Sequence, residues 1–171
     1  MGTFNYKTTE HITLAIKEYD TDDYLKDADF LEYAKGEYEI EADDTEALED
    51  LAREQIIFDY EADYENGEAI LEKYDIPNFN ARIVSGYYEG CQLLFDIDYD
   101  WYTEKADMLK QLDEFEAMLH ELNGCGYNAT VPFWIPTWYT YDETEDMIKI
   151  AVAVIREKII AVYAEDDAEA V

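Results

Sequence analysis

The sharpest hydrophobic pattern in the chain runs through Cys91-Gln-Leu-Leu-Phe-Asp-Ile-Asp-Tyr-Asp100. Leu93, Phe95, Ile97, Tyr99 and Trp101 fall on one side of a two-residue period, and Asp96, Asp98 and Asp100 on the other. A strand with one buried face has that period. With the preceding Ala81–Gly90 it predicts a β-hairpin over 81–100, turning near Glu89-Gly90. Downstream, Met108, Leu112, Phe115, Leu119 and Leu122 recur at helical spacing. They predict a helix from about Glu104 to Leu122, capped by Thr103 and stopped by Asn123-Gly124. Thr130 to Tyr141 holds Pro132 and Pro136 among Trp134, Trp138, Tyr139 and Tyr141, an irregular or edge-strand segment packed by rings. A last helix is expected from Glu143 to Tyr163, with Asp142 and Glu145 as its capping pair. It is apolar nearly all round before Arg156, which suggests a central position or a subunit contact; Glu165–Glu169 reads as a frayed acidic tail.

The first half is less regular. Ile12, Ala15, Ile16 and Tyr19 predict a short helix over Thr8–Tyr19, capped by Thr8 or Thr9. Tyr24, Leu25, Ala28 and Leu31 could line a second. Glu37-Tyr-Glu-Ile-Glu41 alternates like a short strand. Asp43 and Glu46 form a capping-box pattern for a helix from about Thr45 to Tyr64, interrupted at Asn66-Gly67. The order predicts an α+β fold, helices packed on a small antiparallel sheet. The reading is one domain over 1–171. A subdivision near Pro77 would part an acidic helix-rich 1–76 from a hairpin and two helices in 77–171.

Composition changes this picture. The 171 residues carry 43 acids and 12 Lys plus Arg, a formal charge of −31. Residues 18–75 alone hold 23 acids and 4 bases, a net of −19. Acidic chains that stay disordered are poor in aromatics, whereas here 15% of residues are aromatic and 49% apolar. The chain is a folded polyanion. Thirty-one charges equal those on about 53 Å of duplex DNA, roughly 16 base pairs. A compact chain of this length is about 40 Å across, so its charge density is comparable with that of DNA. Such a balance excludes ordinary nucleic-acid binding and docking on anionic membrane. The longest apolar run, Ala151–Ile155, is far too short for a membrane span, and the start Met1–Lys7 lacks an apolar signal core. A cytoplasmic protein with Cys91 and Cys125 as free thiols is expected.

Motifs that carry chemistry are incomplete. Asp96-x-Asp98-x-Asp100 opens like a calcium loop, but Trp101 stands where Gly is needed and Asp107 where Glu is needed. His120-Glu121 begins a zincin-like string whose second His is replaced by Gly124. Cys91, His120 and Cys125 lack zinc-ligand spacing, and His120 fits better as a helix C-terminal cap. Ser85 beside Gly86 has only His11 and His120 as bases in the whole chain and no nucleophile elbow. Among 43 acids a carboxylate pair carries no specificity for acid–base catalysis. The reading is a non-enzyme with no cofactor and no metal. The aromatic run at 130–141 fits core packing or a hydrophobic anchor for a protein partner.

Asp98 and Asp100 lie about 6.7 Å apart along a strand, on the order of neighbouring phosphates. Glu61 and Glu65 repeat that ladder on successive helical turns. In size, charge, acidic–aromatic interleaving and absent catalytic motifs, the chain resembles the acidic DNA-mimic inhibitors of phages and plasmids, of the anti-restriction and anti-CRISPR type. That resemblance implies an inhibitor occupying the basic DNA-binding groove of a nuclease or its complex, without touching nucleic acid or membrane; a dimer is compatible with it. The densest acids are the candidate partner-binding residues: Asp20, Asp22, Asp23, Asp27, Asp29, Glu61, Asp63 and Glu65, supported by Asp96, Asp98 and Asp100. Two other classes share the charge: a chaperone or antitoxin-like binder of a basic protein, and a non-catalytic accessory protein whose acids serve solubility.

Overall fold

Strand β4 (Glu89–Asp98) organises the sheet. One edge pairs antiparallel with β3 (Phe79–Val84) from Phe79 opposite Ile97 to Val84 opposite Gln92. The other edge is shared end to end. There β1 (Thr3–Tyr6) pairs with residues 95–98, and β2 (Thr13–Lys17) with Gln92, Cys91 and, after a bulge, Glu89. Beyond β2 come β5 (Asn128–Val131) and the two-residue β6 (Thr137–Trp138), every pairing antiparallel. The computed structural model describes residues 3–6, 13–17, 20–84, 89–99, 102–131 and 137–169. Among these described residues the helices are α1 (Thr21–Leu25), α2 (Ala28–Tyr38), α3 (Thr45–Lys73), α4 (Lys105–Gly124) and α5 (Tyr141–Glu169). The fold is α+β, as the pattern predicts.

Alternation along β4 puts Leu93, Phe95, Ile97 and Tyr99 in the core and leaves Asp96 and Asp98 half-buried on the opposite face. The core face meets α4, whose Phe115 ring stacks at 4.6 Å from Phe95 and 5.0 Å from Phe79. The whole expected stripe of α4, Met108 through Leu122, is buried. α5 adds Ile148, Val152, Ile155 and Ile159. A second, smaller cluster lies apart from the sheet: Phe30 and Ala34 of α2 against Leu48, Leu51 and Ala52 of α3. At 29 residues α3 is about 43 Å long, and its far end adds Ile70 to the main core. Ile76 and Phe79, on either side of Pro77, are buried in that core too.

Several local expectations are overturned. Of the helix expected over Thr8–Tyr19, the described part, Thr13–Lys17, is strand β2, and the rest lies outside the described residues. The helical spacing misled because both faces of this strand are covered, with Leu14 and Ala15 equally buried, so the two-residue period is erased. Glu37–Glu41 is not a strand. Tyr38 ends α2 and Glu39 turns left-handed at φ 55°, so that the N–H groups of Glu39 and Ile40 both reach the Ala34 carbonyl. Ile40 then packs on the small cluster. Helix α3 starts at Thr45 as expected, with Asp44 supplying the cap, but runs straight through Asn66-Gly67.

The hairpin does not turn at Glu89-Gly90, because β4 already begins there; residues 85–88 and the predicted strand end at Asp100 and Trp101 lie outside the described residues. Thr103 does not cap α4. Its hydroxyl donates to Asn78 Oδ1, Glu104 occupies the cap position, and Asn123 and Gly124 are still helical. The capping box of α5 is Thr140 with Glu143, each side chain accepting the other's N–H, and not Asp142 with Glu145. α5 is one-sided, exposing Ile150 and Ile160, and its backbone stays helical through Glu169 where a frayed tail was expected. Of the aromatic segment, residues 132–136 lie outside the described residues; Trp138 and Tyr139 are half-buried and Tyr141 is exposed.

Candidate functional site: an acidic helical surface

The candidate acids sit on two different supports. Asp20 and Asp27 are the N-caps of α1 and α2: each accepts the N–H two residues on, at 3.0 Å from Asp22 and 2.9 Å from Asp29. Asp22, Asp23 and Asp29 occupy the first helical turns, where the positive end of the helix dipole favours carboxylates. All five are exposed. Glu61 and Glu65 project from one side of α3, while Asp63 is half-buried and its carbonyl accepts from Tyr127. These eight belong to three consecutive helices. Asp96 and Asp98 belong to the outer face of the sheet, and Asp98 accepts from the Asn80 amide across the strand pair. Asp100 lies outside the described residues.

Between α1–α2 and α3 opens a cleft of about 680 Å³. Asp27 and Asp29 are among its lining residues, and it recruits two acids the sequence did not single out, Glu54 and Asp59. Asp59 is fixed from both sides: one oxygen accepts from the Tyr24 hydroxyl, the other from Gln55 Nε2 at 2.9 Å. Tyr33 and Tyr38 meet edge to face at 5.6 Å on its wall. Phe58, also on the wall, is 66% exposed, and its neighbour Ile57 is 60% exposed. The signal for this was present: Leu48, Leu51, Gln55 and Phe58 form one helical row, whose first two members α2 covers and whose last it does not.

The groups with chemical character elsewhere are occupied. His120 does not cap α4. Its Nδ1 lies 2.5 Å from Glu145 of α5 and its Nε2 3.0 Å from Glu116. Burial alone would push the imidazole down, but the hydrogen bonds and charges of Glu145 and Glu116 outweigh it and raise it above the ordinary histidine range. Glu145 has a matching history: burial pushes it up, and His120 and Asn123 pull it below the usual carboxylate range. The pair pins α4 to α5. On the other side of α4, Glu121 accepts from Lys73 and Tyr74, both at 2.7 Å, tying it to the end of α3.

Cys91 is buried, with burial raising its thiol, and Cys125 is exposed; both are free. Among the described residues no group of three or more His, Cys, Asp or Glu could hold a metal ion. Nor is any described helix long and apolar enough to cross a membrane. Ser85, Gly86 and His11 lie outside the described residues. No family model, curated protein or solved structure matches the chain.

Proposed function

We propose that this protein is a non-catalytic, cytoplasmic DNA-mimic inhibitor whose acidic helical surface occupies the basic DNA-binding groove of a defence nuclease of restriction or CRISPR type. The observation that carries the reading is the placement of carboxylates on capped helices: Asp20 and Asp27 hold the caps of α1 and α2, Asp22, Asp23 and Asp29 stand in their first turns, and Glu61 and Glu65 lie a turn apart on α3. Rigidly placed charges reproduce a phosphate row without the entropy loss of ordering a flexible acidic tail. They also speed encounter with a basic groove by long-range attraction. Only Lys26, Lys35, Arg53 and Lys73 offset the 23 acids of residues 18–75, and Arg53 is already paired with Glu49 and Asp50.

A second reading, a binder of a basic protein that does not compete with DNA, is favoured by the exposed aromatic wall of the cleft, since a phosphate mimic needs no aromatic groove. One experiment separates them. Purified restriction and CRISPR nucleases, with a basic protein that binds no DNA as control, are passed over the immobilised protein, and duplex DNA is added as competitor. Release of a nuclease by DNA, with affinity falling log-linearly as salt rises, is the expected result. Retention of the non-DNA-binding control, indifferent to duplex DNA, moves the assignment to the second reading. A complex equally tight at low and high salt overturns both electrostatic accounts.

A further inference from the structure

The polyanionic surface explains attraction to any basic groove but not selection among them, and the cleft beside it has the composition of a selective anchor. Its floor is apolar, from Phe30 and Leu51. Its walls are the rings of Tyr33, Tyr38 and Phe58, and its rim carries Asp27, Asp29, Glu54 and Asp59. No Lys, Arg or His is among the described residues that line it. An apolar group would fill it only by stripping water from four carboxylates without replacing those hydrogen bonds. A nucleic-acid base would bring phosphates against them. A second copy of this chain would bring another −31.

A guanidinium satisfies both halves of the site: its planar face stacks on aromatic rings and its edge donates paired hydrogen bonds to a carboxylate. Asp59 is preset for this, since Tyr24 and Gln55 each take one acceptor position and fix the carboxylate plane while leaving lone pairs on both oxygens. An ammonium gains the charge attraction alone, without planar stacking or the fork.

We propose that the cleft between α1–α2 and α3 is the anchor site for an arginine side chain carried by the basic protein partner, an inference that rests on the partner being basic as proposed above. Arginine recognition that adds stacking on the cleft's rings resists salt better than recognition by an exposed charge ladder alone. The anchor then holds a partner that the acids attract.

The test titrates the full-length protein with oligo-arginine and oligo-lysine peptides of equal length at about 0.5 M salt, where the Debye length is roughly 4 Å. The expected result is arginine binding tighter than lysine by about five- to tenfold, from the stacking that lysine lacks. Phe58→Ala, at an exposed position, should bring arginine down to the lysine level; Phe58→Tyr should keep the preference, and so should the remote pair Asp146→Asn/Glu157→Gln, exposed on α5. Equal binding of the two peptides, loss of both at this salt, or indifference to Phe58→Ala each overturn the anchor. Sedimentation showing a dimer that Phe58→Ala dissolves would give the cleft to a second copy and overturn it too. The nuclease competition assay on the same variants keeps the two readings apart. A nuclease still displaced by duplex DNA without arginine preference sinks the anchor alone. Arginine preference without DNA-displaceable nuclease binding sinks DNA mimicry alone.

Discussion

Among the described residues, α2 and α3 share five buried apolar residues around Phe30 and Leu51, whereas around Phe115 the sheet and three helices share twenty-four. Charge is distributed the other way. Residues 18–75 carry a net −19, whereas the longer stretch 76–171, with 19 acids and 6 bases, carries −13. The acids of the larger region are more often paired across elements: His120 with Glu145, Lys73 with Glu121, Arg156 with Asp113. Most of those of the smaller region cap their own helices or face water, with Asp59, held by Tyr24 of α1, an exception across elements. Self-repulsion therefore falls on the part with least apolar burial to offset it, and the part proposed to bind is the part least able to resist opening. Binding surfaces drawn from the low-stability end of a fold follow that pattern.

The strongest way to break this comparison is to empty each core in turn. Phe115→Ala removes a wholly buried ring that touches Phe79 and Phe95 and should cost about 3–5 kcal/mol. The expected outcome is loss of hydrogen-exchange protection throughout the described chain. Leu51→Ala should cost about 2–3 kcal/mol and strip protection from α2 and the first half of α3, leaving α4 and α5 protected. Equal loss in α4 under Leu51→Ala would make the two clusters one cooperative unit.

Next in size is the join between them on α3. Gly67 faces Tyr127, wholly buried, with its hydroxyl donating to the Asp63 carbonyl at 2.8 Å. A Cβ on residue 67 would lie 2.4 Å from that hydroxyl oxygen and 3.0 Å from an Ile83 side-chain carbon. Alanine ordinarily favours a helix by about 1 kcal/mol over glycine. Here overpacking should reverse the sign, for a net loss of about 1–3 kcal/mol. Adding Tyr127→Phe removes the closest atom, so the Gly67→Ala penalty measured in that background by urea denaturation should shrink. An undiminished penalty would place the strain elsewhere.

The same glycine marks the limit of what the sequence could disclose. The stripe of α4 and the alternation of β4 were legible because each element buries one face only, so the period survives. Asn66-Gly67 read as a stop because glycine usually is one; its real purpose depends on Tyr127, sixty residues later. Strand β2 was misread because both its faces are covered. Glu145 looked like a cap until His120 of another helix claimed it. Of the site, the acids on α1 and α2 stood out by local density, whereas Glu54, Asp59 and Phe58 join them only when α2 folds back beside α3.

The paired acids of the larger region predict a pH signature. His120 is raised above its ordinary value of 6.5, so its stabilisation is complete below that value and fades as pH rises through the raised one. Glu145 is lowered from 4.5, so its contribution holds above 4.5 and is lost as pH falls through the lowered value. The clamp between α4 and α5 is therefore fullest between 4.5 and 6.5. His120→Gln should lose about 1–2 kcal/mol in that window and progressively less at alkaline pH. Thermal melts across pH measure the difference. An NMR titration placing His120 at or below the ordinary histidine value would remove the clamp.

The smallest effect concerns repulsion itself. Raising salt from about 0.05 to 0.5 M shortens the Debye length from roughly 14 to 4 Å, which silences repulsion between neighbouring helices while sparing contacts. Exposed pairs such as Arg53 with Asp50 weaken at the same time, but each is worth only about 0–1 kcal/mol. The balance should favour the folded state by less than about 1 kcal/mol, most of it local to α1, α2 and the first half of α3. Hydrogen exchange reads this directly: opening free energies there should rise with salt by more than those of α4 and α5. The triple variant Asp20→Asn/Asp22→Asn/Asp23→Asn should reproduce part of that gain at low salt. Asparagine at position 20 still offers an oxygen to the Asp22 N–H, so the cap survives while the charge goes. The loss of favourable charge in the first turn of α1 works against the gain, since Asp22 and Asp23 sit at the positive end of a helix of only five residues. A variant more stable than wild type at low salt and no different at high salt would show that repulsion outweighs the dipole here. Equal salt gains in both regions would mean that the charge acts as an even halo, and the acids of 18–75 would lose their claim to be a surface apart.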